Sequence, residues 1–473
     1  MNAKYQQLAL SLRHDIHQGR LPPGQRLPSI RQLARQHGVS LTTAIRSYEW
    51  LEAQGEIQAA PKSGFYVRAR RQASAAPRFK DFDPLAHPVD HAGLIAEIRQ
   101  GAQHPGHTPL GTVMLAPSLL PLASLQQSLQ RSARRAPQAA ASYGAPGGEA
   151  ILRQALCQHF AADGLALHPE DLLITQGCMP ALHLALLAVS QPGDSIAVPS
   201  PCYSGQLQLL ASLGRQALEI PCSQHGMDLD RLEACLAGGQ TRVALLSASH
   251  HNPLGFSLSS EDKQRIAALA QHYQVTVIED DVFGECSHGG PRPLPIKAWD
   301  STGQVIWCGS FSKTLAPGYR IGWCAPGRHH DALRSLHLAG MLAVNAPLQL
   351  ALADFLHRGE YRRHLRRLQP QLARQVDQLR QSVLRHFPPG TAVSQPDGGY
   401  ALWVQLPDAG DGMALYRAAR QQAISLVPGM VFSARGLYGD CLRLNAGNPW
   451  SDGLDQAVSR LGALATQGLA ARG

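Results

Sequence analysis

Five short apolar runs set the terms for the larger part of this chain: 172–175, 195–199, 243–247, 275–278 and 305–307. They read as buried strands, and segments with helical periodicity, such as 180–189, lie between them. Strands alternating with helices imply a mostly parallel sheet covered by helices on both faces. Open sheets of this kind bind ligands just past the carboxyl ends of their strands. The residues standing there are Gly177-Cys178-Met179, then Tyr203, then Asn252-Pro253-Leu254-Gly255, then Glu279-Asp280-Asp281. Last comes Ser310-Phe311-Ser312-Lys313, with Arg320 seven residues after the lysine.

The last group has the most chemical content. An amine held between apolar strands is desolvated, which lowers its pKa and frees its lone pair for imine chemistry. The small hydroxyls of Ser310 and Ser312 and the Arg320 guanidinium suit a phosphate. A lysine imine beside a phosphate cradle describes pyridoxal 5'-phosphate (PLP). Ser-x-x-Lys also fits a penicillin-binding serine hydrolase, but its companions Ser-Asp-Asn and Lys-Thr-Gly are missing from the chain. The other groups have uses around the same cofactor. Asp280 would keep a pyridine nitrogen protonated, Asn252 would donate to a phenolic oxygen, and Tyr203 would stack on a ring. The Gly177 turn would present the Cys178 and Met179 amides to an anion at a helix start. Singly each has an ordinary reading, since Asn-Pro is a turn dipeptide and paired aspartates often cap helices. Their order along the chain with Ser-x-Ser-Lys is what carries the argument.

The 473 residues carry a net charge of +9, unevenly placed. Residues 1–71 hold 11 Lys/Arg against four acids, a balance of +7 that leaves +2 for the rest. A small basic head on a near-neutral body predicts a polyanion partner for the head. Nine scattered cysteines without a Cys-x-x-Cys pair predict reduced thiols rather than a disulfide framework or a metal site. No apolar run is long enough to span a bilayer and the N-terminus lacks a signal-peptide core, so a cytoplasmic protein without a membrane partner is expected.

The head has its own pattern. Tyr5, Leu8, Ala9, Leu12 and Ile16 recur at helical spacing, with Gly19 as the stop. Pro22-Pro23-Gly24 is a turn, and Ser29 and Ser40 can cap two further helices. The second of these, over 41–54, takes an apolar face from Ala44, Ile45, Tyr48 and Leu51. Two short helices around a Gly-containing turn predict a helix-turn-helix, with Thr42, Thr43 and Arg46 at the end that enters a major groove. Residues 57–60 and 65–67 around Pro61-Lys62-Ser63-Gly64 predict a β-hairpin wing with a basic tip.

On these residues the head resembles the GntR-type winged helix-turn-helix: the run Gly24 to Ala34, then Gly38-Val39-Ser40, Thr42-Thr43, Tyr48, Leu51-Glu52, Gly55 and Gly64. The resemblance covers nearly all of 4–68 and implies DNA contacts from Arg31, Ser40, Thr42, Thr43 and the wing at Lys62 to Gly64. Leu41 departs from it, because the family usually has arginine there. The remainder resembles fold-type I PLP aminotransferases over roughly 110–473. The motifs are Asn252-Pro253-Leu254-Gly255, Glu279-Asp280-Asp281, Ser310 to Lys313 with Arg320, and Leu442-Arg443-Leu444-Asn445. It implies Lys313 as the aldimine lysine, Asp280 at the pyridine nitrogen, Asn252 at O3′ and Tyr203 stacked on the ring. Ser310, Ser312, Arg320, Cys178 and Met179 would hold phosphate, and Arg443 an effector carboxylate. Tyr143 would reach the phosphate of a neighbouring subunit. Phe283 departs from it, because a tyrosine usually stands three residues after the aspartate.

Head and body together resemble MocR-type regulators. The fold implied is an N-terminal winged helix-turn-helix, mainly α with a β-wing, plus an α/β aminotransferase-like domain. The expected limits are 1–70 for the head, 71–109 for a linker and 110–473 for the body. The function implied is a head-to-tail homodimer that binds operator DNA and senses PLP, or an amino acid or amine effector, at Lys313. A working aminotransferase with a secondary head is the alternative.

Overall fold

The computed structural model describes residues 4–471, apart from 18–20, 22–24, 54–55, 61–63, 68–74, 91, 103, 105, 224–225 and 409. It divides into two compact units, Met1–Ser74 and Ala75–Gly473.

The first unit has helices α1 (Lys4–His17), α2 (Ile30–Gln36) and α3 (Leu41–Ala53), then strands β1 (Ile57–Ala60) and β2 (Gly64–Val67) paired antiparallel. Leu8, Leu12, Leu33, Ala44, Tyr48, Leu51, Ile57 and Val67 make its core. Helix α2 starts where the Ser29 hydroxyl accepts from the Gln32 N–H and the Gln32 side chain accepts from the Ser29 N–H, a reciprocal cap. Ser40 caps α3 by accepting from the Thr43 N–H at 3.2 Å. Buried Ser47 donates to the carbonyls of Tyr5 and Thr43, tying α3 to α1 without an unpaired polar atom. Ile45 differs from expectation: it is 39% exposed. Ala44, Tyr48 and Leu51 define the inward face, and a residue next to Ala44 lies about 100° round the helix from it. Gly19, Pro22–Gly24 and the wing tip with Lys62 lie outside the described residues.

The second unit is built on a sheet in the order β3-β7-β6-β9-β10-β11-β12-β5. These are β3 (Ala86–His87), β5 (Leu173–Thr175), β6 (Ser195–Ser200), β7 (Gln216–Ser223), β9 (Val243–Leu246), β10 (Thr276–Asp280), β11 (Val305–Ser310) and β12 (Gly322–Ala325). Strand β4 (Thr108–Pro109) pairs elsewhere, and β8 (Gly226–Met227) folds back on β7. Strands β7, β6, β9, β10 and β11 run parallel, and β12 is antiparallel to both its neighbours. Parallel neighbours align the carboxyl ends of β6, β9, β10 and β11 along one edge, which fixes where the site can form. A smaller antiparallel sheet holds β13 (Ala392–Val393), β14 (Ala401–Gln405), β17 (Cys441–Asn445) and β16 (Val427–Pro428), while β15 (Ile424–Ser425) pairs with β4. The two sheets share one continuous core that includes Ala197, Leu246, Val277, Leu402 and Leu444.

The expected linker over 71–109 is corrected from Ala75 onward. Ala86–His87 adds an antiparallel edge strand to β7, and helix α4 (Ala92–Ala102) buries Ile95 and Ile98 in the main core. Residues 75–90 show no periodicity because a single edge pairing and isolated side-chain contacts, not a helix or a long strand, hold them.

Candidate functional site

A cavity of about 420 Å³ opens at the carboxyl ends of the parallel strands. Its wall contains Cys178, Met179, Tyr203, Asn252, Asp280, Ser310, Ser312, Lys313 and Arg320. Nine residues expected from five separate stretches of sequence therefore meet in one place. An adjoining recess of about 80 Å³ shares Tyr203, Asn252 and Lys313 and adds Arg443. Tyr143 is not in either wall; its side chain is 86% exposed.

One end of the cavity is built for an anion. Gly177, at φ +101°, ends the turn after β5 and leads into the helix Cys178–Val189, whose first N–H groups lie at that end. Arg320 stands beside it, in the left-handed region at φ +53°. Its guanidinium donates to the Gln176 carbonyl at 3.2 Å and to the Ser312 hydroxyl at 3.3 Å. A Cβ on Gly177 would come within 2.6 Å of that guanidinium. Only glycine lets arginine and helix start approach this closely.

The other groups face this cradle from different strands. Asp280, the last residue of β10, is buried and accepts from Gln206 at 2.8 Å and from the Cys178 thiol at 3.3 Å. Burial pushes its carboxyl above the usual range, against the pull of those two bonds. Asp281 turns away from the cavity, accepts from Trp307 at 2.9 Å and pairs with buried Arg292. The Lys313 amine donates to the Val113 carbonyl at 2.7 Å and lies 5.5 Å from the centre of the Phe283 ring. Arg443, on β17, donates to the Asn252 side-chain carbonyl at 3.2 Å and to the Gly111 carbonyl at 2.9 Å.

Sequence reasoning missed Gln206, Thr112, Ser247 and Ser249, all at or behind this wall. Ser247 and Ser249 had a signal, since they stand just past β9. Gln206 had a weaker one, a buried polar residue among the leucines of its helix. Thr112 had none, because its segment reaches the site only through tertiary packing.

On the first unit, Arg31 and Thr42 are exposed, and Thr43 is half-buried with its hydroxyl against that of Ser40 at 2.8 Å. Arg46 lies 5.9 Å from the Tyr5 ring. Leu41 is 50% exposed at the start of α3. Gly64, at φ +109°, begins β2.

Residues 115–461 match the aminotransferase class I and II family, and residues 4–67 the gntR family of bacterial regulatory proteins. The uncharacterized HTH-type transcriptional regulator YdcR of Escherichia coli is 38% identical over 466 residues, 98% of each chain. The chain belongs to the MocR-type family. A second such regulator of Escherichia coli, YjiR, is 35% identical over 97% of this chain and 98% of its own. Among solved structures, the kynurenine aminotransferase of Pyrococcus horikoshii, in complex with PMP, is 26% identical. It covers 80% of this chain and 95% of its own, with a TM-score of 0.73. The MocR-type body thus has the fold of enzymes whose family depends on PLP. Among the described residues, no helix is long and apolar enough to cross a membrane.

Proposed function

We propose that this chain is a cytoplasmic, PLP-dependent DNA-binding regulator, in which the aminotransferase-like body senses PLP and an amino acid or other amine. The observation that carries the reading is the single cavity wall that joins Lys313, Asp280 and Arg320 and opens into the recess of Arg443, in a chain whose N-terminus is a winged helix-turn-helix.

The residues present fit the cofactor. The Gly177 turn, Ser310, Ser312 and Arg320 would hold its phosphate. Among the described residues, buried Asp280 receives only neutral donors and has no cationic side chain paired with it. A buried carboxylate in that state favours a cation, and a protonated pyridine nitrogen is one. Tyr203 would flank the ring and Asn252 its phenolic oxygen. When bound at Lys313, PLP supplies reversible condensation with amines and an electron sink. Arg443 offers a planar fork that suits a carboxylate, which favours an amino acid over a simple amine. Phe283 presents a ring where a hydroxyl would otherwise help move protons, which favours sensing over rapid turnover.

Arg31, Ser40, Thr42, Thr43 and Arg46, with the wing at Lys62 and Gly64, would contact duplex DNA. A homodimer, head-to-tail, would place Tyr143 against a neighbouring subunit's phosphate and read half-sites whole helical turns apart, ~34 Å or multiples.

A gel shift on the DNA upstream of the protein's own coding region tests the reading, with and without PLP, for wild type and Lys313→Ala. The expected result is specific binding whose affinity or footprint changes with PLP only when Lys313 is present. Absence of specific binding at moderate salt, together with steady release of keto acid from amino acids, would replace it with a working aminotransferase.

A further inference from the structure

The positive charge of the second unit is concentrated on one helix. Over 75–473 there are 32 Lys/Arg and 30 Asp/Glu; the helix Glu360–His386 has seven arginines and two acids, leaving 25 against 28 elsewhere. This helix is +5 on a body that is otherwise net negative.

The arginines are also sorted by face. Tyr361, Leu365, Leu368, Leu372, Val376, Leu379 and Val383 are buried along one side. Arg363, Arg366, Arg367, Arg374 and Arg385 are exposed. At 100° per residue these five fall within about 100° of one another, opposite the buried side. Among the described residues, Arg363, Arg366, Arg367 and Arg374 meet no carboxylate, whereas Arg131, Arg135, Arg153, Arg265 and Arg292 all do. Arg385 lies 3.5 Å from Asp455 but keeps a side chain that is 62% exposed. From Arg363 to Arg385 the stripe runs about 33 Å, at 1.5 Å per residue, close to the ~34 Å of one turn of B-DNA.

A solvated face usually mixes both signs of charge; here five guanidiniums stand against the single carboxylate of Asp377, a row that costs self-repulsion unless an anion meets it. We propose that the exposed face of Glu360–His386 is a second DNA-contacting surface, one that binds the phosphate backbone without reading sequence. Guanidinium forks bind phosphate oxygens in pairs, and arginines spaced along a rigid helix can follow a row of phosphates. The surface rests on the regulator reading above for its choice of partner.

The test uses full-length protein with Arg363, Arg366, Arg367 and Arg374 all changed to Gln. Among the described residues these side chains are exposed and meet no carboxylate, so the melting temperature and PLP affinity should match wild type. Binding to the upstream DNA and to an unrelated duplex of equal length is measured from 50 to 200 mM salt. Each lost phosphate contact lowers the log–log salt slope by about 0.9, so the slope should fall by about 3 to 4 on both duplexes, with the preference between them kept. Unchanged slopes on both duplexes would overturn the proposal. So would a loss of binding to vesicles containing anionic lipid with DNA binding intact, which would assign the stripe to a membrane surface. If wild type shows no preference for the upstream DNA, the regulator reading fails, while the unrelated duplex still decides the stripe.

Discussion

Replacing Gly177 by alanine should damage two measurable properties by two separate routes. The first is conformational. At φ +101° and ψ 175° the backbone occupies a region open almost only to glycine, and a side chain there costs roughly 1–3 kcal/mol of folded-state stability. The second is a collision. The added Cβ would sit 2.6 Å from the Arg320 guanidinium, which must withdraw from the anion cradle. A charge-assisted hydrogen bond is worth about 1.5–3 kcal/mol, so PLP affinity should fall roughly 10- to 150-fold. Affinity is read by titrating PLP against its visible absorbance, and stability by denaturant unfolding without cofactor. The decisive comparison is the cycle with Arg320→Gln. If the alanine acts on binding through Arg320, then Gly177→Ala should cost little further affinity, less than about threefold, in the Arg320→Gln background. Additive losses, or wild-type affinity in Gly177→Ala alone, would refute the reasoning.

Three other perturbations follow from buried groups around the site. Arg292→Met leaves Asp281 buried and without its cation, so unfolding free energy should drop by about 3–5 kcal/mol, and adding Asp281→Asn should recover much of it. His251 is buried against Phe256, and desolvation pushes its pKa down to about 3. Its contribution is fully present above the ordinary histidine value and fades as pH falls from about 6.5 toward 3, by an amount on the order of 5 kcal/mol. His251→Phe should flatten the stability profile over that window, and acid unfolding followed by circular dichroism measures it. Phe283→Tyr returns a hydroxyl to the cavity wall; if proton movement limits turnover, single-turnover conversion of amino acids should speed up roughly tenfold, the worth of one hydrogen bond.

The site was more legible in the sequence than the frame that carries it. Residues just past strand ends announce themselves because a short apolar run and a polar turn are both local patterns. Asn252, Asp280 and Lys313 each follow such a run. The antiparallel direction of β12 was not legible, since a short buried strand looks the same either way round. Gln206 was missed because its meaning depends on Asp280, 74 residues away. Ile45 was read inward because apolar character alone does not distinguish a core face from an exposed one; burial of Ala44 and Tyr48 fixes the rotation of the helix. Segment 75–90 resembles a tether because edge pairing with β7 leaves no periodic signature.

The short stretch from Gly111 to Val113 carries a consequence for every affinity measured at this site. In this strap the carbonyls of Val113 and Gly111 already serve the Lys313 amine and the Arg443 guanidinium, the groups that a cofactor aldehyde and an effector carboxylate would engage. Binding is then an exchange of partners, and a titration reports the difference between the ligand's grip and the strap's. A ligand that takes both cations releases the strap at two points, whereas one that takes a single cation leaves it anchored by the other. A cofactor aldehyde and an effector carboxylate can therefore together produce a change in the chain that neither produces alone.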